Sequence, residues 1–213
     1  MIAIVDYGIG NLGSVTKAFR HVGSPVVLTG DPEALSAARA LVLPGDGAFG
    51  AAMGELRSRG LLPVLYDAVA AGKPILGICL GMQLLFAESE EHGRHSGLGL
   101  LPGCVRRFAE GLVVPHMGWN RLHHERRDPI LEGVEEGDHV YFVHSYYCDA
   151  LPEHVIATTE YGTPFPAIVG SGDVLGMQFH PEKSQAVGLR IIANFVNSVR
   201  ARGAARLEAR SYR

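Results

Sequence analysis

Cysteine is scarce in this chain. Among 213 residues there are three, Cys79, Cys104 and Cys148, widely spaced and odd in number, which excludes a disulfide framework. No CxxC or paired Cys/His spacing points to structural zinc. An excess of one charge is missing too: 19 Lys and Arg face 22 Asp and Glu, for a net charge of −3, so the chain as a whole lacks a nucleic-acid footprint. No apolar run approaches the roughly 20 residues of a membrane span. The start, MIAIVDYGIG, has neither the basic region nor the apolar core of a secretory signal. The expectation is a cytoplasmic protein with reduced thiols and neither nucleic acid nor membrane as partner. Against these absences, 47% of residues are hydrophobic and only 19% charged, which excludes disorder and coiled coil.

Along the first half, short apolar runs alternate with helical patterns. IAIVDY (2–7), PVVLTG (25–30), ALVLPG (40–45) and KPILGI (73–78) read as buried strands. Between them lie a helix over 14–23 ending at Gly23, a second opened by Asp31 as N-cap with Pro32 behind it, and a longer helical stretch over 49–71. LGMQLLFAESEE, from residue 80, is expected to be helical as well. Continuous apolar strands alternating with helices imply a parallel sheet covered on both faces. The second half is short-stranded and turn-rich: CVRRF, LVVPHM, HVYFVHSYY and VIATTEY suit antiparallel or mixed sheet. VLGMQF (174–179) is one further strand, and GLRIIANFVNSVRAR closes the chain as an amphipathic helix. The fold class is therefore α/β, with a largely parallel or mixed central sheet between helices, antiparallel strands in the second half, and a single domain over 1–213. The arginine-rich end, ARGAARLEARSYR, reads as a solvated helix terminus.

The most informative segment is Gly77-Ile78-Cys79-Leu80-Gly81. A strand stops there and a helix starts with no loop between, which forces the central residue into a strained conformation that only small neighbours accommodate. The thiol then projects at the carboxyl end of the sheet, where open α/β sheets place their sites, and the helix amino terminus beside it favours the nucleophilic thiolate. A thiol nucleophile needs a base and a group that orients the base. His180-Pro181-Glu182 ends another strand, and residues i and i+2 of an extended segment point the same way. Together these form a candidate Cys-His-Glu triad. Leu80 offers the backbone N–H after the nucleophile, and Pro44-Gly45-Asp46-Gly47-Ala48-Phe49 ends a neighbouring strand with glycines that let its peptides approach a ligand.

These residues resemble the class I, triad-type, glutamine amidotransferases. The resemblance covers nearly the whole chain: PGDGAF, GICLGMQ, GLGLLPGCVRRF, YFVHSYY and QFHPEKS. It implies that Cys79 attacks the glutamine side-chain amide, that His180 shuttles the proton and that Glu182 holds the imidazole. It implies an oxyanion hole from Leu80 and the strand at Gly47, glutamine contacts at Gly45, Gln83, Ser145 and Tyr146, and no cofactor or metal. PHMGWN (115–120), the stand-alone length and the absence of a fused synthase narrow the resemblance to the glutaminase subunits of histidine biosynthesis. Their partner is a (βα)8-barrel cyclase, bound as a heterodimer, which uses the ammonia to make imidazole glycerol phosphate and aminoimidazole carboxamide ribotide. Asn11, His116 and Trp119 are then interface candidates. The Asp46–Gly47 peptide is expected to rest with its N–H turned away until the ligand-bound cyclase turns it inward. Asp46 departs from the apolar residue many relatives carry there.

Other readings compete. Gly8-Ile9-Gly10-Asn11-Leu12-Gly13 followed by Asp31 has the form of a dinucleotide fingerprint, yet Asp31 precedes a proline and reads as an N-cap. A cysteine α/β-hydrolase would have its acid before its histidine, far away in the chain. A catalytically idle binding protein would lack a site residue, and none is missing. Another acceptor synthase, such as the one making pyridoxal phosphate, remains an alternative partner. His123-His124 and His92 with His95 read as solvated surface rather than metal ligands.

Overall fold

A computed structural model describes residues 1–211, with side chains to Ala204. Four short apolar runs form β1 (Ile2–Val5), β2 (Val26–Thr29), β3 (Ala40–Leu43) and β4 (Ile75–Ile78), of which β1, β3 and β4 are buried at every position. They pair in parallel in the order β2-β1-β3-β4. Both faces of such strands must be covered, and alternate side chains do enter different cores. Ile2 and Ile4 of β1 join one cluster, Ala3 and Val5 the other.

The covering helices follow from local signals. Asn11 caps α1 (Leu12–His21), accepting from the Ser14 N–H, and Asp31 caps α2 (Pro32–Ala37), accepting from Glu33 and Ala34. The stretch over 49–71 is two helices rather than one: α3 (Phe49–Ser58) and α4 (Leu61–Ala70). Gly60, at φ 68°, breaks the run, because a left-handed residue cannot continue a right-handed helix. The segment after Cys79 also departs from expectation. Helix α5 covers only Leu80–Leu84, and β5 (Phe86–Ser89) follows. Leu84, Leu85 and Phe86 are all fully buried, and from Phe86 the backbone leaves the helix to pair with the strand Leu101–Arg107.

Beyond β5, the chain forms β6 (His95–Ser96), β7 (Leu101–Arg107), β8 (His116–Arg121), β9 (His123–His124), β10 (His139–His144) and β11 (Tyr146–Ala150). These are followed by β12 (Val155–Tyr161), β13 (Thr163–Ser171) and β14 (Val174–Met177). Strand β13 escapes sequence patterning because Pro164 and Pro166 look like breakers; both lie opposite β12, at Glu160 and Thr158. β14 pairs in parallel with β4, and β13, β12 and β9 continue the sheet antiparallel. Among the described residues the main sheet is thus eight strands, β2-β1-β3-β4-β14-β13-β12-β9, beside the pair β10-β8 and the four-stranded β11-β7-β5-β6. His123–His124 forms an edge strand of the main sheet.

Helix α6 runs Gln185–Ser211 and packs with α1 on one face, while α2, α3 and α4 cover the other. Tyr212, Arg213 and the arginine side chains at 206 and 210 lie outside the described residues. The functional consequence of the sheet lies at β4 and β14. Parallel neighbours in register, Ile78 opposite Met177, deliver the residues after each strand to one place.

Candidate active site

Cys79 stands between β4 and α5 at φ 53° and ψ −111°, a conformation that L-residues avoid and that a surrounding structure must enforce. Its flanking glycines are required by contact. A Cβ on Gly77 would lie 2.6 Å from the Gly81 carbonyl oxygen, and one on Gly81 would drive into the carbonyl of Leu43 in β3. The Cys79 N–H donates to the Met177 carbonyl at 2.8 Å, so the turn is fastened to β14. The thiol is largely buried, 3.8 Å from the Gln178 amide nitrogen and 4.0 Å from the Val143 carbonyl.

His180 arrives from the end of β14. Its Nδ1 lies 2.8 Å from Glu182 Oε1, and the two side chains are 7% and 1% exposed. Pro181 opens the 3₁₀ turn Pro181–Lys183 that returns the carboxylate to the ring. The backbone around them is pinned to β10: the His180 N–H donates to the Tyr141 carbonyl, the Ser184 hydroxyl to the His180 carbonyl, and the Tyr141 N–H to the Ser184 hydroxyl. Burial alone would push the imidazolium down. Hydrogen bonds to Cys79 and Glu182, with their charges, carry it the other way, to about 10. Glu182 Oε2 has no partner among the described residues, so the carboxylate acts on one donor, the imidazole.

The cleft over the thiol has a volume of about 280 Å³ and is lined by Asn11, Asp46, Gly47, Leu80, Gln83 and Tyr146, among others. Asp46 and Gly47 form part of one wall, with Gly45 packed behind them. Tyr7 donates its hydroxyl to the Pro44 carbonyl at 2.7 Å, and Gly10 packs so closely that a Cβ would sit 3.3 Å from the Gly45 Cα. The glycine run after β1 therefore buttresses this loop, while Asn11 and Asp31 are occupied as helix caps. Gly47 is at φ 87° with open space at its Cβ position.

Most sequence-derived site residues meet here, with three exceptions, Gly45, His116 and Trp119. Gly45 is buried behind the wall, against Tyr7 and Leu80, and does not line the cleft. His116 is 4% exposed: strand alternation turns it inward with Asn120 and leaves Met117 and Trp119, at 62% and 46% exposure, on the outer face of β8. Sequence reasoning missed Glu91, Gln178 and Lys183. Glu91 and Lys183 line the cleft, and the Glu91 carboxylate accepts from the Phe49 N–H at the start of α3, at 2.5 Å. Gln178 lies between Gln83 and the thiol. Glu91 is hidden by the acidic run ESEEH, which reads as a solvated helix end. Among the described residues no three His, Cys, Asp or Glu side chains are grouped to hold a metal, and no helix is long and apolar enough to cross a membrane.

The model of the "Glutamine amidotransferase class-I" family matches residues 3–199. The chain belongs to that family. As a class I glutamine amidotransferase, it has close relatives named imidazole glycerol phosphate synthase subunit HisH. The one from Geobacillus kaustophilus is 56% identical over 210 residues, covering 95% of this chain and 99% of the relative. The one from Desulfitobacterium hafniense (strain DSM 10664 / DCB-2) is 50% identical, over 92% and 93%. Solved structures share the fold at lower identity. A crystal structure of a glutamine amidotransferase superimposes with a TM-score of 0.74 at 23% identity, covering 93% of this chain and 98% of the other. The structure of PurLQS from Thermotoga maritima gives 0.71 at 21%, again over 93% of this chain and 98% of the other. The amidotransferase is thus an α/β enzyme of the expected class, and within its family it stands with the HisH proteins.

Proposed function

We propose that this amidotransferase is the glutaminase subunit of imidazole glycerol phosphate synthase and that it works in the cytoplasm as a heterodimer with a (βα)8-barrel cyclase. The observation that carries the chemistry is Cys79, held at a strained strand-to-helix turn in the same cleft as His180, whose Nδ1 faces the buried Glu182 carboxylate. In the first step the Cys79 sulfur attacks the side-chain carbonyl carbon of glutamine, and the amide oxygen gains the charge. The N–H of Leu80, and a peptide N–H at Asp46–Gly47 once turned inward, receive that oxyanion. His180 protonates the departing nitrogen, the C–N bond breaks, and ammonia leaves a glutamyl thioester on Cys79. Water then attacks the thioester carbon, His180 takes its proton, and the thiolate departs to release glutamate. Glu182 keeps the imidazole in the orientation that serves both halves.

The cleft also suits the substrate's charged end. Asp46 and Glu91 supply carboxylates at its wall for the α-ammonium group, and Gln83 with the backbone at Ser145 and Tyr146 offers hydrogen bonds. A closed path to the cyclase has a physical motive. Ammonia in water near neutral pH is mostly ammonium, which has no lone pair to attack with, so a dry conduit keeps it nucleophilic. Exposed Trp119 and Met117, with Asn11 at the cleft mouth, support a docking face on this side. A glutamine analogue bearing a diazo ketone in place of the amide tests the assignment of the nucleophile. Mass spectrometry should find it on Cys79 alone; labelling elsewhere with Cys79 free would contradict the proposal.

A further inference from the structure

Beneath β8, two histidines occupy a place where packing alone would favour hydrocarbon. His116 and His144 are 4% and 6% exposed. They are surrounded by Phe108, Phe142, Tyr161 and Phe165, with His116 stacked on Tyr161 at 4.2 Å between ring centroids. Burying two imidazoles in an aromatic cluster is unfavourable unless every ring nitrogen is matched.

The match is complete and has one direction. His144 Nδ1 lies 2.8 Å from the Tyr146 carbonyl, which can only accept, so Nδ1 carries the hydrogen. Burial lowers the imidazolium pKa of both rings, to about 4 for His116 and about 3 for His144, so both are neutral at pH 7. Neutral His144 must therefore accept at Nε2, from His116 Nδ1 at 3.0 Å. His116 then accepts at Nε2 from the Asn120 amide at 3.2 Å. That amide is itself oriented, since its oxygen accepts from the Arg121 N–H and its nitrogen also donates to the Glu160 carbonyl. At the far end, the second lone pair of the Tyr146 carbonyl is taken by Gln83 Nε2 at 2.9 Å, and Gln83 also donates to Gln178, whose amide faces the Cys79 sulfur. His144 and Tyr146 both line the cleft.

We propose that His116 and His144 are positioning residues for glutamine: a line of fixed hydrogen-bond polarity from Asn120 on β8 holds the Tyr146 carbonyl, and with it the stretch of cleft wall against which the substrate lies. The proposal rests on the glutaminase reading. Neither ring touches the reacting atoms, so their removal should weaken glutamine binding and leave turnover largely intact.

The test uses the full chain carrying Cys79→Ala, which removes the nucleophile, with glutamine binding followed by calorimetry. Adding His116→Phe, which keeps the ring and deletes the hydrogen bonds, should weaken glutamine about tenfold, the size expected for a buried polar group left unmatched. Asn120→Ala, at a partly exposed position that leaves the core intact, should weaken it about threefold by the same argument, and decides the matter if His116→Phe fails to fold. In the complex with the cyclase and with Cys79 restored, KM for glutamine should rise while kcat stays within about twofold. Nitrogen NMR of the imidazoles should show hydrogen on Nδ1 of both rings. Unchanged affinity in the variants, a fall in kcat at constant KM, or an Nε2–H tautomer at His144 would each overturn the proposal. If the Cys79→Ala parent does not bind glutamine at all, the glutaminase reading itself fails, a distinguishable result.

Discussion

At the scale of single residues, the charge of His180 is the feature most open to measurement. Its raised pKa, about 10, depends on hydrogen bonds to Cys79 and Glu182 overcoming burial. Cys79→Ala removes the first of these, so the His180 titration followed by NMR should move down in that variant; an unmoved titration would separate the ring from the thiol. Glu182→Gln keeps the shape but deletes the charge that orients the imidazole. Glutamate release should fall by about 10²–10⁴, the range for loss of an aligned acid–base group, with the melting temperature little changed. A full-rate Glu182→Gln enzyme would remove Glu182 from the triad. Much of this was legible in the sequence because the cues are local: two glycines flank one cysteine, and a proline separates a histidine from a glutamate. Glu91 was not, since its place depends on how a loop returns over α3.

At the scale of elements, the elbow and the β8–β10 pair carry opposite kinds of information. The elbow is a strand abutting a helix, and its glycines are demanded by β3 and α5 themselves. Gly81→Ala should destabilise the fold by more than the ~1 kcal/mol of a backbone preference alone, because the Leu43 carbonyl must move; a Gly81→Ala protein with an unchanged denaturation midpoint would refute that close approach. Gly47→Ala meets open space but places an L side chain at φ 87°, so it should cost about 1–2 kcal/mol of stability as well as reduce partner-stimulated glutamate release. Strand alternation explains why His116 was expected at a partner surface and lies inside. PHMGWN announces small and aromatic residues, but which of them faces out is set by pairing with β10. Prolines concealed β13, and α5 was overestimated because the pairing of β5 with β7, a contact between segments distant in the chain, overrides a helical pattern.

The same pair fixes how the fold responds to acid. His116 and His144 have folded pKa values of about 4 and 3, below the usual ~6.5 of an unfolded histidine. Their contribution is full above pH 6.5 and is lost as pH falls through the folded values, because unfolding takes up protons. His180 has the opposite sign, contributing fully below pH 6.5 and losing that contribution as pH rises through about 10. Denaturation curves should therefore weaken between pH 6.5 and 4 at up to about 1.4 kcal/mol per pH unit for each histidine. His116→Phe should flatten that slope, and an unaltered slope would show that the ring is not buried neutral.

For the whole molecule, the sheet explains why so distant residues cooperate. Cys79 and His180 are 101 residues apart and become neighbours because β14 pairs with β4, an arrangement that alternating apolar runs suggest but cannot order. The fold class follows from those runs; the adjacency follows from packing. The central claim is that a glutamine-hydrolysing triad serves a barrel partner. It is tested most directly by glutamate release from glutamine, measured for the purified chain alone and with the cyclase barrel plus its ligand, with Cys79→Ala as control. The expected result is slow release alone and strong stimulation by the loaded barrel, abolished by Cys79→Ala. Release that ignores the barrel would contradict the partnership, and no glutamate under any condition would contradict the chemistry itself.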